Sequence, residues 1–214
     1  MNIAILGGTG KEGVGLAQRW AQAGHSIIIG SRDADRARQK AVELRESTGK
    51  IAIIGHTNVE AAQLGEIIVL ALPAAGLAAT LPPVAPNCRG KVVISTVVPL
   101  TFGGPRLFTP PAAGSSAEEA QALLPEARVV AAFHHIAAHE LASTDHPIEC
   151  DLLMCGGDAA AKQTVSELAA TMELRAIDVG ALSNAACLEG ITAVLATINR
   201  RYKLKNSGIK ITGL

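Results

Sequence analysis

The fold is decided by the opening stretch NIAILGGTGKEG, residues 2–13 of the 214-residue chain. Its first five residues are almost all aliphatic and predict a buried β-strand. Gly8, Gly10 and Gly13 then fit the pattern G-x-G-x-x-G, and residues 11–22 carry apolar side chains at helical spacing. A glycine turn between a strand and a helix lets a pyrophosphate approach the N–H groups of the helix N-terminus. The stretch therefore predicts a dinucleotide-binding unit, and the alternative is a structural turn without a ligand.

The end of the second predicted strand selects between the two nicotinamide dinucleotides. Ser31 and Arg32 follow the strand Ser26–Gly30, and Arg36 lies one helical turn further on. NAD enzymes usually carry Asp or Glu here, because a carboxylate accepts hydrogen bonds from the ribose hydroxyls. A hydroxyl and two guanidinium groups bind a 2′-phosphate instead. We therefore expect NADP; the alternative is a pair of ordinary surface arginines at a helix start.

Strand and helix patterns continue to alternate after this unit. The further apolar runs up to residue 132 are 51–55, 66–72, 91–95 and 127–132. Runs that are apolar on both faces and separated by helical segments indicate a parallel sheet covered on both sides. Right-handed crossovers then give an α/β fold of the Rossmann type, a doubly wound parallel sheet.

The remainder predicts a small C-terminal α/β appendage, which ends in an apolar helix over residues 183–198. The predicted domains are residues 1–132, which bind NADP, and residues 133–214, which complete the substrate site. Because this apolar helix has little that should face water, we expect a homodimer.

An uncharged stretch, residues 67–88, could suggest a membrane span. It contains Pro73, Pro82, Pro83 and Pro86, and prolines break helices. We therefore expect neither a continuous helix nor a membrane segment there.

The composition excludes several classes of function. Lys and Arg together number 19, as do Asp and Glu, and aromatic residues make up 2% of the chain, so it has neither the basic excess nor the stacking platforms of a nucleic-acid binder. The four cysteines form no CxxC pair, and no metal site is predicted. His135 and His139 have a spacing compatible with a metal but no clear carboxylate ligand. Reduced thiols and the absence of a signal peptide predict a cytoplasmic protein.

The sequence resembles the F420-dependent NADP reductases, also called NADPH:F420 oxidoreductases, over essentially its whole length. The opening 37 residues carry the resemblance, and later blocks continue it. These blocks are LALPAAG (70–76), KVVISTVVPL (91–100), VVAAFHHIAAHEL (129–141), DVGALSN (178–184) and NSGIKITGL (206–214). The resemblance implies hydride transfer between NADP and the deazaflavin coenzyme F420.

The resemblance also implies a set of contacts. The pyrophosphate is lined by Thr9, Gly10, Lys11 and Glu12, with Gly8 and Gly13 shaping the turn, and the 2′-phosphate by Ser31, Arg32 and Arg36. The rest of the dinucleotide lies near Leu72, Pro73, Val98 and Ala138, and the deazaflavin contacts Ser207. His134 is the one candidate for a catalytic group, as a partner of a ring carbonyl or hydroxyl; a core histidine satisfied by the backbone is the alternative.

Three positions depart from the family pattern. Ala74, Gly76 and Ala137 stand where the family usually has Trp, His and Pro, and a roomier pocket could suit another acceptor. The alternatives are therefore an NADPH-dependent reductase of a flavin, a ferric chelate, or a small imine or carbonyl, and a non-enzymatic NADP sensor.

A basic run lies beside the tail. It comprises Arg200, Arg201, Lys203, Lys205 and Lys210. Since F420 carries an acidic tail, this run is expected to dock it; the alternative is that these cations only complement a helix C-terminus.

Overall fold

All 214 residues are described by a computed structural model, in which eight strands alternate with eight helices. The strands are β1 (Asn2–Leu6), β2 (Ser26–Ser31), β3 (Ile53–Thr57), β4 (Ile67–Leu70), β5 (Val92–Ser95), β6 (Arg128–Ala131), β7 (Leu152–Gly156) and β8 (Ala176–Asp178). The helices are α1 (Lys11–Gln22), α2 (Ala34–Thr48), α3 (Asn58–Leu64), α4 (Leu77–Cys88), α5 (Ser116–Leu123), α6 (Ala138–Ala142), α7 (Ala159–Ala170) and α8 (Ala185–Tyr202). Short 3₁₀ turns, Ala74–Gly76 and Leu182–Asn184, precede α4 and α8.

The strands form one sheet in the order β3-β2-β1-β4-β5-β6-β7-β8. The first six are parallel, which confirms the Rossmann-type doubly wound prediction. β7 runs antiparallel to β6, because the chain between them returns to the sheet without a helical crossover over its face. The boundary predicted after residue 132 follows β6, and the sheet continues past it through β7 and β8. The division into two domains stays a prediction.

Alternate residues of each strand feed a core on each face of the sheet. In β1, Ile3 and Ile5 join the core beneath α1, α2 and α7, whereas Ala4 and Leu6 join the core beneath α3, α4, α5 and α8. Both cores are aliphatic, as the composition predicts. The aromatic exception is Trp20 of α1, whose ring meets the Phe133 ring edge-on at a centroid distance of 5.4 Å.

The prolines of the uncharged stretch, residues 67–88, do not prevent a helix, contrary to the expectation from the sequence. Pro82, Pro83 and Pro86 lie inside α4, a helix of 12 residues. Each proline removes one helical N–H donor, yet Leu77, Leu81 and other side chains spaced along one face are buried in the core. Tertiary packing of that face outweighs the missing bonds. None of the helices is both long enough and apolar enough to cross a membrane.

One arginine ties α1 to the segment after β6. Arg19 donates through Nε to the Leu141 carbonyl at 3.2 Å and through Nη2 to the Glu140 carbonyl at 2.8 Å. The same guanidinium also bonds the carbonyls of Ser143 and His146. Arg19 thereby satisfies carbonyls at the C-terminal end of α6 that no helical N–H reaches, and it fixes this segment beside the first helix.

Candidate functional site

The largest cleft opens at the carboxyl edge of the sheet, between β1 and β4, where the strand order reverses. Its volume is about 1110 Å³. Ligands of doubly wound folds bind at this switch point. The predicted residues that line it are Thr9, Gly10, Lys11, Glu12, Ser31, Arg32, Arg36, Leu72, Pro73, Val98 and His134. One cleft therefore brings together most of the residues that the sequence singled out.

The turn after β1 uses its glycines differently from the expectation. The positive φ of +76° lies at Gly7, not at Gly8. A β-carbon on Gly8 would lie 2.8 Å from the Ile5 carbonyl oxygen, and one on Gly13 would lie 2.7 Å from the Gly8 Cα. Gly8 and Gly13 therefore allow close backbone packing within the turn, and neither residue lines the cleft. They shape the site without facing it.

The N-terminus of α1 faces the cleft with free donors. Gly10 is the N-cap and offers no side chain, so the first N–H groups of the helix have no intrahelical or capping partner. The amide side chain of Asn58, at the start of α3, accepts a hydrogen bond from the Gly7 N–H at 3.3 Å. These features leave a concave backbone surface with positive partial charge, suited to an anion.

A polar group at the end of β2 flanks this surface. The Ser31 Oγ accepts from the Asp33 N–H at 3.2 Å, and the Asp33 carboxylate in turn caps α2 through the N–H groups of Asp35 and Arg36. Arg32 and Arg36 are exposed, and neither guanidinium forms an ion pair within the chain. Both side chains are free to receive an external phosphate.

Glu12 lies one residue into α1 and also lines the cleft. Its Oε1 atom is inaccessible to solvent and has no hydrogen-bond partner. Burial raises the pKa of this carboxyl to about 8, so it is mostly protonated at neutral pH. A neutral buried acid beside an anion site is unusual, and the sequence motif alone did not reveal it.

His134 enters the cleft from the segment after β6. The preceding residue, Phe133, is buried with a φ of +68°, and this left-handed turn redirects the backbone at the strand end. The hydroxyl of Thr192 in α8 donates to the His134 carbonyl at 3.0 Å. Both ring nitrogens are shielded from solvent and make no hydrogen bond of ordinary geometry, yet the backbone of Ala132, Leu188 and Ser95 lies close enough to oppose the fall of the pKa. The alternative of a core histidine held by the backbone therefore stays open. Burial, aided by His135, lowers the pKa of His134 to about 3, so the imidazole is neutral.

His135 has backbone partners at one ring nitrogen, while its Nδ1 is buried without one. Its ring Nε2 lies 3.0 Å from the Asp151 carbonyl oxygen and 3.2 Å from the Leu153 backbone nitrogen. His139, by contrast, is exposed.

Two predicted contact residues lie outside the cleft. Ala138 is the first residue of α6 and is half-buried. Ser207 lines a smaller cavity of about 280 Å³, together with Ile136 and Ala137. Residues 134–138 therefore separate the two cavities, since His134 borders one and Ile136 the other.

The tail that carries Ser207 is held by an ion pair between the buried Asp151 and the exposed Arg175. The Asp151 carboxylate accepts from Arg175 Nε at 2.8 Å and Nη2 at 2.7 Å, and also from the Ile211 N–H at 2.6 Å. These bonds lower the pKa of Asp151, with the Arg175 hydrogen bond as the largest cause. The Ser207 hydroxyl itself donates to the Leu195 carbonyl at 3.3 Å. The tail is thus fixed against β7 and α8.

The basic run extends from the last turn of α8 into the tail. All of its side chains are exposed: Arg200, Arg201, Lys203, Lys205 and Lys210. Arg200 and Arg201 lie where they also complement the helix C-terminus.

Several lining residues were missed in the sequence. They are small or uncharged and come from separate elements: Gly7, Asn58, Ala71, Ala75, Ala79, Thr80 and Thr192. Only Gly7, which belongs to the glycine-rich run, carried a signal that could have identified it.

Comparisons with known proteins agree with this geometry. Residues 2–99 match the family described as "NADP oxidoreductase coenzyme F420-dependent". The F420-dependent NADP reductase of Methanocaldococcus jannaschii is 42% identical, with 100% of this chain and 99% of that protein covered. That of Methanothermobacter marburgensis is 41% identical with the same coverage. The crystal structure of a putative F420-dependent NADP reductase from Arthrobacter sp. FB24 superposes with a TM-score of 0.86 at 26% identity, covering 99% of each chain.

Proposed function

The chain belongs to the family of F420-dependent NADP reductases, and we propose that it transfers a hydride between NADP(H) and the deazaflavin coenzyme F420. The observation that carries the proposal is the shared cleft, which is lined by the N-terminus of α1, by Ser31, Arg32 and Arg36, and by His134. Its volume of about 1110 Å³ is sufficient for a dinucleotide.

The NADP half of the site follows from the free groups of the chain. The N–H groups of α1 bind the pyrophosphate, and Arg32 and Arg36 bind the 2′-phosphate with Ser31. Leu72, Pro73 and Val98 then cover the nicotinamide end of the cleft. This arrangement directs the nicotinamide toward His134 and Thr192.

The deazaflavin half lies across residues 134–138. In this proposal its ring stacks on the nicotinamide in the cleft, Ala138 and the backbone leave room for close approach, and its far end reaches Ser207 in the smaller cavity. The two substrates supply the hydride chemistry, and the protein holds the donor and acceptor carbons ~3–3.5 Å apart. The neutral His134 ring has one donor and one acceptor nitrogen, both shielded from solvent, and a rotation of the ring toward the cleft would let it hold a ring carbonyl or hydroxyl.

The acidic tail of F420 is proposed to dock on the basic run. Replacing Arg201 and Lys203 by Gln should raise the KM for F420 and weaken its dependence on salt, because fewer charges attract the tail. The Kd for NADPH should not change. If the KM for F420 and its salt dependence both stay at the wild-type values, these cations only complement the C-terminus of α8 and do not bind the acidic tail.

The experiment for the main proposal follows the visible absorbance of F420. Purified protein is incubated with NADPH and F420, and in the reverse direction with NADP⁺ and reduced F420. Stoichiometric bleaching in the first direction and recovery in the second, over many turnovers, is the expected result. Binding of NADPH without turnover of F420 would contradict the proposal and favour a sensor.

A second acceptor class has one specific observation in its favour. A β-carbon on Gly76 would meet no atom within 4 Å, so the cleft wall is open at this departure from the family pattern. A flavin, a ferric chelate, or a small imine or carbonyl should therefore be tested beside F420. A kcat/KM higher for one of them than for F420 would reassign the acceptor.

A homodimer and a cytoplasmic location stay predictions. Val194 on α8 and Tyr202 at its end are exposed apolar side chains, which supports burial of this helix against a second copy. Light scattering on the eluted protein would measure the mass of the assembly.

A further inference from the structure

A carboxyl group lies where the bound dinucleotide should be most negative. Glu12 occupies the first turn of α1, beside the N–H groups expected to hold the pyrophosphate, and lines the main cleft. Its Oε1 atom is shielded from solvent and has no hydrogen-bond partner. Glu12 therefore borders the ligand space while one of its carboxyl oxygens is desolvated and unsatisfied.

An ionised carboxylate would oppose binding in two ways. It would repel the pyrophosphate, and it would stay desolvated without a compensating donor. A neutral carboxylic acid removes the repulsion and supplies an O–H donor to a phosphate oxygen. Both effects favour the protonated form once the dinucleotide is in place.

We propose that Glu12 couples dinucleotide binding to proton uptake: its carboxyl group is neutral in the complex and donates its O–H to an oxygen of the pyrophosphate. At a pH above the pKa that Glu12 has in the unliganded protein, each dinucleotide that binds is accompanied by one proton from solvent, which bonds to the Glu12 carboxylate. The inference rests on the proposed function only in that a nicotinamide dinucleotide is the ligand.

The neighbouring charged groups do not account for the state of Glu12. Titratable groups lie on each of the elements around it. They are Lys11 and Arg19 on α1, Arg32, Asp33 and Arg36 at the start of α2, His134 in the cleft, and His139 and Glu140 on α6. Burial alone raises the pKa of Glu12 to about 8. Binding of an anion beside it should raise the pKa further.

The test measures the Kd of NADP⁺ by titration calorimetry without F420, from about pH 7 to about pH 9.5, a window above the second ionisation of the 2′-phosphate near ~6. The wild-type Kd should be flat below about pH 8 and then rise toward tenfold per pH unit, because the unbound protein loses a proton that the complex keeps. In Glu12→Gln, whose side chain is a neutral isostere, the Kd should stay flat. Buffers of different ionisation enthalpy should report close to one proton taken up per NADP⁺ at ~pH 9 for the wild type and none for the variant.

Glu167→Gln, which removes an exposed carboxylate of α7, is the matched control and should keep the wild-type pH profile. NAD⁺ should show the same slope as NADP⁺, because both carry the pyrophosphate. A flat wild-type profile, a slope retained in Glu12→Gln, or loss of binding in a folded Glu12→Gln at every pH would overturn the inference. NADP⁺ binding without the slope refutes this inference alone, whereas failure of the wild type to bind either dinucleotide refutes the proposed function with it.

Discussion

The dinucleotide region, residues 2–98, and the C-terminal region, residues 128–214, hold their elements together by different means. In the first region, backbones touch: a β-carbon on Gly55 of β3 would lie 2.3 Å from the carbonyl of Ala37 in α2. In the second region, polar side chains clamp the backbone, as Asp151 and Arg175 do to the tail.

The close backbone contacts and the side-chain hydrogen bonds differ in the sequence separation of the residues that they join. Gly55 meets Ala37 within one βαβ unit, as Gly13 meets Gly8. The clamps instead span 60 residues from Asp151 to Ile211, and Arg19 spans 122 residues to Leu141. Contacts between near neighbours produce a recognisable glycine pattern in the sequence. The long-range hydrogen bonds come from single charged residues, which no pattern distinguishes from surface charges. Substitutions in the two regions should therefore have different effects. One should change stability through packing, another should change stability and F420 binding through the tail, and a third should change only ligand binding.

The largest effect is expected at the contact between α2 and β3. Gly55→Ala places a methyl group closer to the Ala37 backbone than van der Waals contact allows, so α2 must move. We expect the free energy of unfolding to fall by ~3 kcal/mol. Urea denaturation measures it. Gly157→Ala, where a β-carbon would meet nothing within 4 Å, is the control and should change stability little. Equal midpoints for the two variants would mean that the close approach contributes nothing.

A smaller loss of stability is expected where the tail is clamped. Asp151→Asn keeps one acceptor but loses the charge that binds Arg175, so the free energy of unfolding should fall by ~2 kcal/mol. Because Ser207 is positioned by this tail, the KM for F420 should rise while the Kd for NADP⁺ stays constant. Glu126→Gln, in an exposed pair with Arg89, serves as the control. A changed Kd for NADP⁺ in Asp151→Asn would contradict the separation of the two regions.

Acid should abolish the difference between wild type and Asp151→Asn. The folded state holds the pKa of Asp151 below its ordinary value of 3.8, so the stabilisation is complete above that value and is lost as the pH falls through the folded pKa. The unfolding free energies of the two proteins should therefore begin to converge near about pH 4 and meet only below the folded pKa of Asp151. A gap that persists unchanged in acid would show that the carboxylate charge is not its source.

The smallest effect concerns the ligand and leaves the fold intact. Arg32→Ala should weaken NADP⁺ binding tenfold or more, equivalent to ~1.4 kcal/mol, and leave NAD⁺ binding nearly unchanged, because only NADP⁺ carries the 2′-phosphate. Since Arg32 is exposed, the unfolding midpoint should not move. Arg38→Ala, an exposed arginine further along α2, is the matched control. Equal losses for both dinucleotides would remove the basis for assigning NADP.

The sequence by itself determined the strand–turn–helix order, the glycine turn and the placement of Ser31, Arg32 and Arg36 after the second strand. Periodicity and turn chemistry act between near neighbours, and these features depend on nothing else. Its resemblance to a family supplied the second substrate.

Tertiary structure decided what depends on distant residues. It kept α4 helical through three prolines, reversed β7, shielded the Oε1 atom of Glu12 without a partner and brought Thr192 to the carbonyl of His134. Burial and pKa are set by atoms that arrive from elsewhere in the chain, so no local pattern encodes them.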